Sequence, residues 1–253
     1  MTADLAFALE LADLADSISL PRFRAADLRV ETKPDLTPVT DADRAVERAL
    51  RERLAEARPG EGVLGEEEGD DGGPVRWIID PIDGTRNFSR GIPVWSTLIA
   101  LERDGSLVCG VASAPALGQR WWAARGDGAF KDGERIGVSR VERLEDATVS
   151  YSRAGLEQAP GPSLELVRRA WHAQPFSDAW AHLLVAEGVV DVAIDHEMYP
   201  WDSAALQVIV EEAGGRFTTL AGEARHDGGS GVSTNGLVHD DVLALFDPRP
   251  PAK

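Results

Sequence analysis

One cysteine, Cys109, stands in 253 residues, so the chain cannot close an internal disulfide and a cysteine-built zinc site is excluded. Its neighbours Leu107, Val108, Gly110 and Val111 are apolar or small, which suits a buried strand thiol better than a nucleophile. No apolar run approaches the ~20 residues that span a bilayer. The opening Met1-Thr2-Ala3-Asp4 lacks the basic start and apolar core of a signal peptide, and the expected location is the cytoplasm. Positive charge is scarce: 26 Lys and Arg face 43 Asp and Glu, giving a formal charge of −17 and a pI of about 4.7. A nucleic-acid binder needs clustered Lys and Arg, so that partner is excluded, and so is an anionic membrane surface. Internal repeats, low-complexity stretches and obvious linkers are also missing. What is present is globular: 43% hydrophobic and 27% charged residues, at a length suiting one large domain or two intimate halves. The carboxylate surplus by itself fits solubility as well as it fits a metal-binding enzyme.

The first segment reads as helix, with Leu5, Leu9, Leu11, Ala12, Ala15 and Ile18 at helical spacing and Pro21 ending the run. A second helix is predicted over 41–57, where Thr40 is the N-cap, Asp43 completes a capping-box arrangement, and Val46, Leu50 and Leu54 form the buried stripe. Pro34 and Pro38 make the intervening 33–40 a loop. Short β runs then follow at 75–79, 94–101, 106–113 and 120–124, separated by Asp104-Gly105 and Ala116-Leu117-Gly118 turns, a mostly antiparallel meander. The second half returns to mixed α/β, with helices predicted at 163–171, 178–188, 202–213 and 239–246. Strands are predicted at 190–194, 216–219 and 232–234, and the proline-rich tail from Asp247 is expected to fray.

Three stretches carry chemistry. In Trp77-Ile78-Ile79-Asp80-Pro81-Ile82-Asp83-Gly84-Thr85, a β run delivers Asp80 at its end and Asp83 follows three residues later. Gly84-Thr85 then allows a tight turn whose N–H groups can hold a phosphate. Carboxylates joined by a phosphate are the usual way of binding Mg²⁺, a hard cation that prefers oxygen. For an isolated D-x-x-D an Asx turn with a helix cap is the plainer account, and the full string is far longer and more specific than that. Gly65-Glu66-Glu67-Glu68-Gly69-Asp70-Asp71 reads either as a solvated acidic loop or as ligands placed where the Val63-Leu64 strand leaves the core. Of these, Glu66 and Glu67 fit the ligand reading, and Glu68, Asp70 and Asp71 the loop. In Trp201-Asp202-Ser203-Ala204-Ala205, Asp202 suits a helix N-terminus on dipole grounds alone, and the alanines imply close packing of that helix.

Together these residues resemble the inositol monophosphatase-like family of Mg²⁺-dependent phosphatases, in the family's order and over almost the whole chain from Lys33 to about Gly236. The 35–47 segment, Pro93-Val94-Trp95, Ser113-Ala114-Pro115 and Trp121-Trp122 are most similar to the histidinol-phosphate phosphatase branch of actinobacterial type. The resemblance implies a layered αβαβα sandwich of the α+β or α/β class, with an N-terminal half over 1–142 and a C-terminal half over 143–253 forming one catalytic unit. It implies two to three Mg²⁺ ions held by Glu66, Asp80, the Ile82 carbonyl, Asp83 and Asp202. The phosphate would meet Glu66, Ile82, Asp83 and Asp202 with Gly84 and Thr85, while Asp43 and Thr85 orient the attacking water and Glu67 supports it. Lys33 matches a family lysine near the mobile catalytic loop; an ordinary exposed lysine is the plainer alternative. A homodimer acting on a small phosphate monoester is implied as well.

The mechanism follows from chemistry the chain lacks. Hydrolysis of a phosphate monoester needs on the order of 20 kcal/mol of barrier reduction. Cys109 reads as buried and none of the 5 histidines lies in the acidic motifs, so a metal-activated water and direct in-line transfer are expected. The leaving alcohol is expected to be read by Asp178, Asp195 and Glu197, carboxylates that favour the cationic groups of histidinol phosphate over neutral inositol. Where the branch has Gly-Asp-Phe-Trp, this chain has Ser177-Asp178-Ala179-Trp180, and Trp180 serves the pocket or simply the core. Inositol 1-phosphate or a broad range of sugar phosphates is the alternative substrate class, and a silent metal- or anion-binding scaffold the non-enzymatic one.

Overall fold

The computed structural model describes residues 1–34, 36–176 and 178–247, so Ser177 of the pocket motif and the tail at 248–253 lie outside the described residues. In chain order the elements are α1 (Ala3–Arg22), β1 (Val30–Thr32), β2 (Pro38–Thr40), α2 (Asp41–Ala57), β3 (Gly62–Gly65), β4 (Gly69–Asp70), β5 (Val75–Asp83) and α3 (Thr85–Arg90). Then come β6 (Ser96–Arg103), β7 (Ser106–Ala114), β8 (Gln119–Ala124), β9 (Gly128–Lys131), β10 (Glu134–Arg135), β11 (Thr148–Tyr151), α4 (Arg153–Gln158) and α5 (Pro160–Arg169). The chain ends with β12 (His172–Gln174), α6 (Asp178–Ala186), β13 (Val192–Asp195), α7 (Pro200–Glu212), β14 (Arg216–Thr218), β15 (Gly231–Thr234) and α8 (His239–Phe246).

Strands β5 to β10 form the predicted meander, extended by β3 and β4 into an eight-stranded sheet ordered β10-β9-β8-β7-β6-β5-β3-β4. A second, five-stranded sheet is ordered β12-β11-β13-β15-β14. Alternation along β5 sends side chains to opposite faces. Trp77 and Ile79 join Leu5, Leu11, Val46 and Leu50 under α1 and α2, while Ile78 joins the core beneath α7. Helices α6 and α7 lie between the two sheets, and α4, α5 and α8 cover the far side of the second. The layers are therefore α1/α2, large sheet, α6/α7, small sheet, and α4/α5/α8, the αβαβα sandwich anticipated.

The alanines of α7 have a clear purpose. A Cβ at Gly110 of β7 would stand 2.7 Å from the Ala205 carbonyl oxygen, so the helix backbone lies directly on the sheet there. One reading from sequence is corrected: 33–40 is not all loop, because Pro38, Val39 and Thr40 pair antiparallel with Thr32, Glu31 and Val30. Pro38 is tolerated as the first residue of a two-stranded edge, where its missing N–H interrupts no ladder interior. Two other bounds shift: β5 continues past Asp80 to Asp83, and α1 runs one residue beyond Pro21.

Candidate active site

Asp80 shares a face with Ile78, so its side chain belongs on the α7 side of the sheet. Asp83, an odd number of residues further, would leave on the opposite face of a regular strand. It does not, because the register breaks between them: Asp80 pairs with Leu98 and Asp83 with Ser96, three steps on β5 against two on β6. This one-residue bulge returns Asp83 to the same side. Helix α7, seated on the same face, brings Asp202 in its first turn. Oxygens of Asp80, Asp83 and Asp202 all lie within 4.8 Å of one another.

These three carboxylates have little else to compensate them. Asp80 Oδ1 accepts from the Ile82 N–H at 3.0 Å, Asp83 Oδ2 from Ala179 N–H at 2.9 Å and Asp202 Oδ2 from Tyr199 N–H at 2.7 Å. Burial, and then the charges of Glu66, Asp83 and Asp202, hold Asp80 well above the usual carboxylate range. Burial with Asp178 and Asp202 does the same to Asp83. Asp202 is pushed up to about 7, by burial first and by Glu66, Asp195 and Asp178 against the opposing Tyr199 bond. A cluster of hard oxygen donors whose mutual repulsion suppresses ionisation fits a divalent cation such as Mg²⁺.

Glu66 lies near enough for its charge to act on Asp80 and Asp202, yet it is not a member of the tight group. Lys33 Nζ donates to its Oε1 at 2.8 Å and also hydrogen-bonds Glu67 Oε1. Burial opposes the Lys33 charge, but the two glutamates outweigh it and raise its pKa. Lys33 is thus no ordinary exposed lysine. The loop that carries the glutamates hangs on a residue the sequence reading passed over. Glu47, fully buried, accepts from the N–H groups of Glu67 at 2.7 Å and Glu68 at 3.0 Å, and takes a further bond from Arg51 Nε at 2.9 Å. A Cβ at Gly65 would stand 2.1 Å from Glu47 Oε1, so a side chain there would push that carboxylate off its partners. Its signal was the i, i+4 spacing from Asp43, which puts both acids on one face of α2.

Asp43 completes the predicted capping box. Its Oδ2 accepts from Thr40 N–H at 2.8 Å and Thr40 Oγ1 at 2.5 Å, and its Oδ1 lies 3.2 Å from Thr85 Oγ1. Thr85 Oγ1 is also 2.9 Å from the Ile82 carbonyl oxygen. Burial raises Asp43 to about 6, against the hydrogen bonds from Thr40. Gly84 precedes α3 with φ +81°, the left-handed backbone that glycine adopts without strain, and opens the first-turn N–H groups of that helix.

The remaining predicted residues divide. Asp178 opens α6, lies 3.3 Å from Asn87 Nδ2, and with Asp83, Ser96 and Trp180 lines a small pocket beside the acids. Asp195 ends β13 and lies 3.2 Å from Nε2 of His182, a fully buried histidine whose Nδ1 is 2.7 Å from Ser233 Oγ. His182 was not singled out from sequence, although it follows Asp178 by one helical turn. Trp180 lines that small pocket and also packs edge-on against Trp121 at 5.7 Å. Glu197 is exposed and stands outside the hydrogen-bonded network of the site. Cys109 is buried in the core under α1 and α2 and its thiol is pushed up to about 12 by burial, which removes it as a nucleophile.

The inositol monophosphatase family model matches residues 2–246. A histidinol-phosphatase of Mycobacterium tuberculosis is 52% identical, with 96% of this chain and 98% of that protein aligned. A histidinol-phosphatase of Streptomyces coelicolor is 46% identical, with 97% of each covered. Among solved structures, an IMPase of Thermotoga maritima superposes with a TM-score of 0.89 at 33% identity over 97% of both chains. In the described residues no helix is long and apolar enough to cross a membrane.

Proposed function

The chain belongs to the inositol monophosphatase family, and from that premise we propose that it hydrolyses L-histidinol phosphate to L-histidinol and phosphate in histidine biosynthesis. The observation that carries the catalytic reading is the convergence of Asp80, Asp83 and Asp202, drawn from both sheets' halves of the chain onto one point. The substrate rests on the two histidinol-phosphatases aligned end to end with this chain. We further read the enzyme as a cytoplasmic homodimer, with 1–142 and 143–253 working as one catalytic unit.

In this reading two to three Mg²⁺ ions are held by Asp80, Asp83, Asp202, Glu66 and the Ile82 carbonyl. When bound, Mg²⁺ supplies Lewis-acid activation of water and neutralises charge on the phosphoryl group. The protein's own part is positional. Thr85 Oγ1, whose proton is shared between the Ile82 carbonyl at 2.9 Å and Asp43 Oδ1 at 3.2 Å, keeps its lone pairs for a proton of the attacking water, and Asp43 at about 6 can accept the proton that Thr85 passes on. Glu67, locked by Lys33 and Glu47, fixes Glu66 in place and borders that water. N–H groups of Gly84 and Thr85 at the start of α3 orient the phosphate. Asp178 and the His182-paired Asp195 lie on the side where the alcohol leaves, and attract an ammonium or imidazolium group there. Glu197 takes no part in this reading.

The test is turnover of histidinol phosphate and inositol 1-phosphate measured side by side at equal Mg²⁺, and again after chelation. Histidinol phosphate should be preferred by more than about tenfold in kcat/KM, or ~1.4 kcal/mol, and both activities should vanish with the metal. A smaller preference would point to a broad phosphatase, and activity surviving chelation would remove the metal from the mechanism.

A further inference from the structure

A second cavity lies away from the acid cluster. It holds about 670 Å³, within the range of small-ligand sites, and lies at the other end of the same elements. Arg76 lines it four residues before Asp80 on β5, about 13 Å at ~3.3 Å per residue. Gln207 lines it five residues after Asp202 on α7, about 7.5 Å along the axis. The segment 224–227 closes it and is tied to α7 by the Ser203 hydroxyl, which donates to the His226 carbonyl at 2.5 Å.

Gln207 is the informative residue. It is only 6% exposed, its Nε2 donates to Glu211 Oε1 at 2.9 Å, and its Oε1 is buried with no hydrogen-bond partner among the described residues. The carboxylate of Glu211 accepts only, so the amide cannot be turned over to exchange the two atoms. On the wall of a polar cavity stands a buried acceptor without a donor from the described residues. On the same walls, Arg125 donates one hydrogen bond, from Nε to the Leu107 carbonyl at 3.3 Å, and pairs through Nη1 with Glu211 at 2.6 Å and Glu212 at 4.0 Å. Arg225 likewise donates one, from Nε to Asp227 at 2.7 Å, and pairs through Nη1 with Glu223 at 3.7 Å. A guanidinium carries five N–H groups, so both keep donors for an anionic oxygen. Arg76, by contrast, is spent on Glu102 and Asp70. Glu102, itself buried, has Oε1 3.5 Å from His226 Nε2.

We propose that this cavity is a binding site for a free α-amino acid, its carboxylate on Arg125 and Arg225 and its ammonium on Gln207 Oε1 and Glu102. The mixture of charges selects the class. A multiply charged anion such as a nucleotide would meet Glu102 and Asp227 along with the arginines, whereas a zwitterion satisfies both signs and the orphaned amide oxygen at once.

The experiment is titration calorimetry on the full chain in excess Mg²⁺ with each of the standard L-amino acids in turn, and separately with inorganic phosphate and AMP. At least one amino acid should bind saturably. Arg225→Ala, at a half-exposed position, and Gln207→Met, which removes the acceptor at nearly constant volume, should each weaken that binding at least about tenfold. Phosphatase turnover and Tm should be unchanged in both. Absence of binding by every amino acid would overturn the proposal, as would binding that both variants leave intact. Phosphate or AMP bound in place of amino acids, and lost in the variants, would show an anion site and overturn it too. Should Gln207→Met lower Tm with no amino acid bound to the wild type, Oε1 serves a fixed water and the site is structural.

Discussion

Glu47, Glu66 and Glu67 are surrounded by donors, whereas Asp80, Asp83 and Asp202 are surrounded by one another. The glutamates share Lys33, Arg51 and two backbone N–H groups, so their geometry is settled by the protein alone. Each aspartate of the triad receives one backbone N–H and faces two further carboxylates, so its geometry is imposed by the bulge in β5 and the seating of α7 against a repulsion the protein does not neutralise. One group is a finished structural joint and the other an unfinished electrostatic one. The difference teaches where a cation is needed, and how a chain with a surplus of acids confines that need to one point.

Substitution should separate the two groups. The largest effect is expected at the shared corner of the triad. Asp80→Asn should lower kcat by on the order of 10³-fold or more, with the circular dichroism of the folded protein retained. A variant that keeps more than a few per cent of wild-type turnover would show that the triad is not the reacting centre. Thr85→Val tests the relay beside it: the hydroxyl that bridges Asp43 and the water disappears, and kcat should fall about 10²-fold while KM changes little. An equal change in KM would instead assign Thr85 to substrate binding.

Smaller and different in kind is the effect expected at the finished joint. Glu47 touches none of the proposed ligand oxygens, yet two N–H groups of the Glu66 loop end on its carboxylate. Glu47→Gln turns one acceptor oxygen into a donor facing those N–H groups, and Mg²⁺ affinity should drop about 10–100-fold, the usual cost of disturbing a ligand's supporting contacts. Calorimetry with Mg²⁺ reads this directly. Unchanged affinity would mean that Lys33 alone holds the loop.

Legibility in the sequence followed the length of the physical signal. The capping box at Thr40 and Asp43, the meander and the close packing implied by Ala204 and Ala205 are all local patterns, and each is found where expected. Spacing alone could not show that Asp80 and Asp83 share a face, because regular alternation predicts the reverse and the bulge that corrects it has no signature beyond Pro81. Glu47 looked like any helix acid, since its partners lie about twenty residues away and are backbone groups, which every residue carries. Residues 38–40 read as loop because Pro38 masks an edge strand. The far cavity was illegible for the same reason as Glu47: its walls come from positions scattered between Gly73 and Asp227.

The smallest effect sharpens the comparison most, because it has opposite signs for stability and activity. In the metal-free protein Asp202 sits at about 7 and Asp43 at about 6, both above the ~3.9 of an unfolded aspartate. Between those values the folded state holds protons that the unfolded state has released, so the contribution of these two groups to stability falls as pH rises from about 4 to about 7. Asp202→Asn removes one of the three opposed charges. Discounted for the partial exposure of this side chain, the gain should be about 1–2 kcal/mol above pH 7, or ~2–6 °C in Tm, and should vanish below about pH 3, where the wild-type carboxylate is protonated in both states. Saturating Mg²⁺ should stabilise the wild type and cancel the advantage, while the variant loses phosphatase activity. Thermal melts of both proteins in chelator, taken across that pH range, measure the effect. A variant less stable than wild type at pH 8 in chelator would mean that the Tyr199 cap outweighs the repulsion, and the triad would then be no less finished a joint than the glutamate loop.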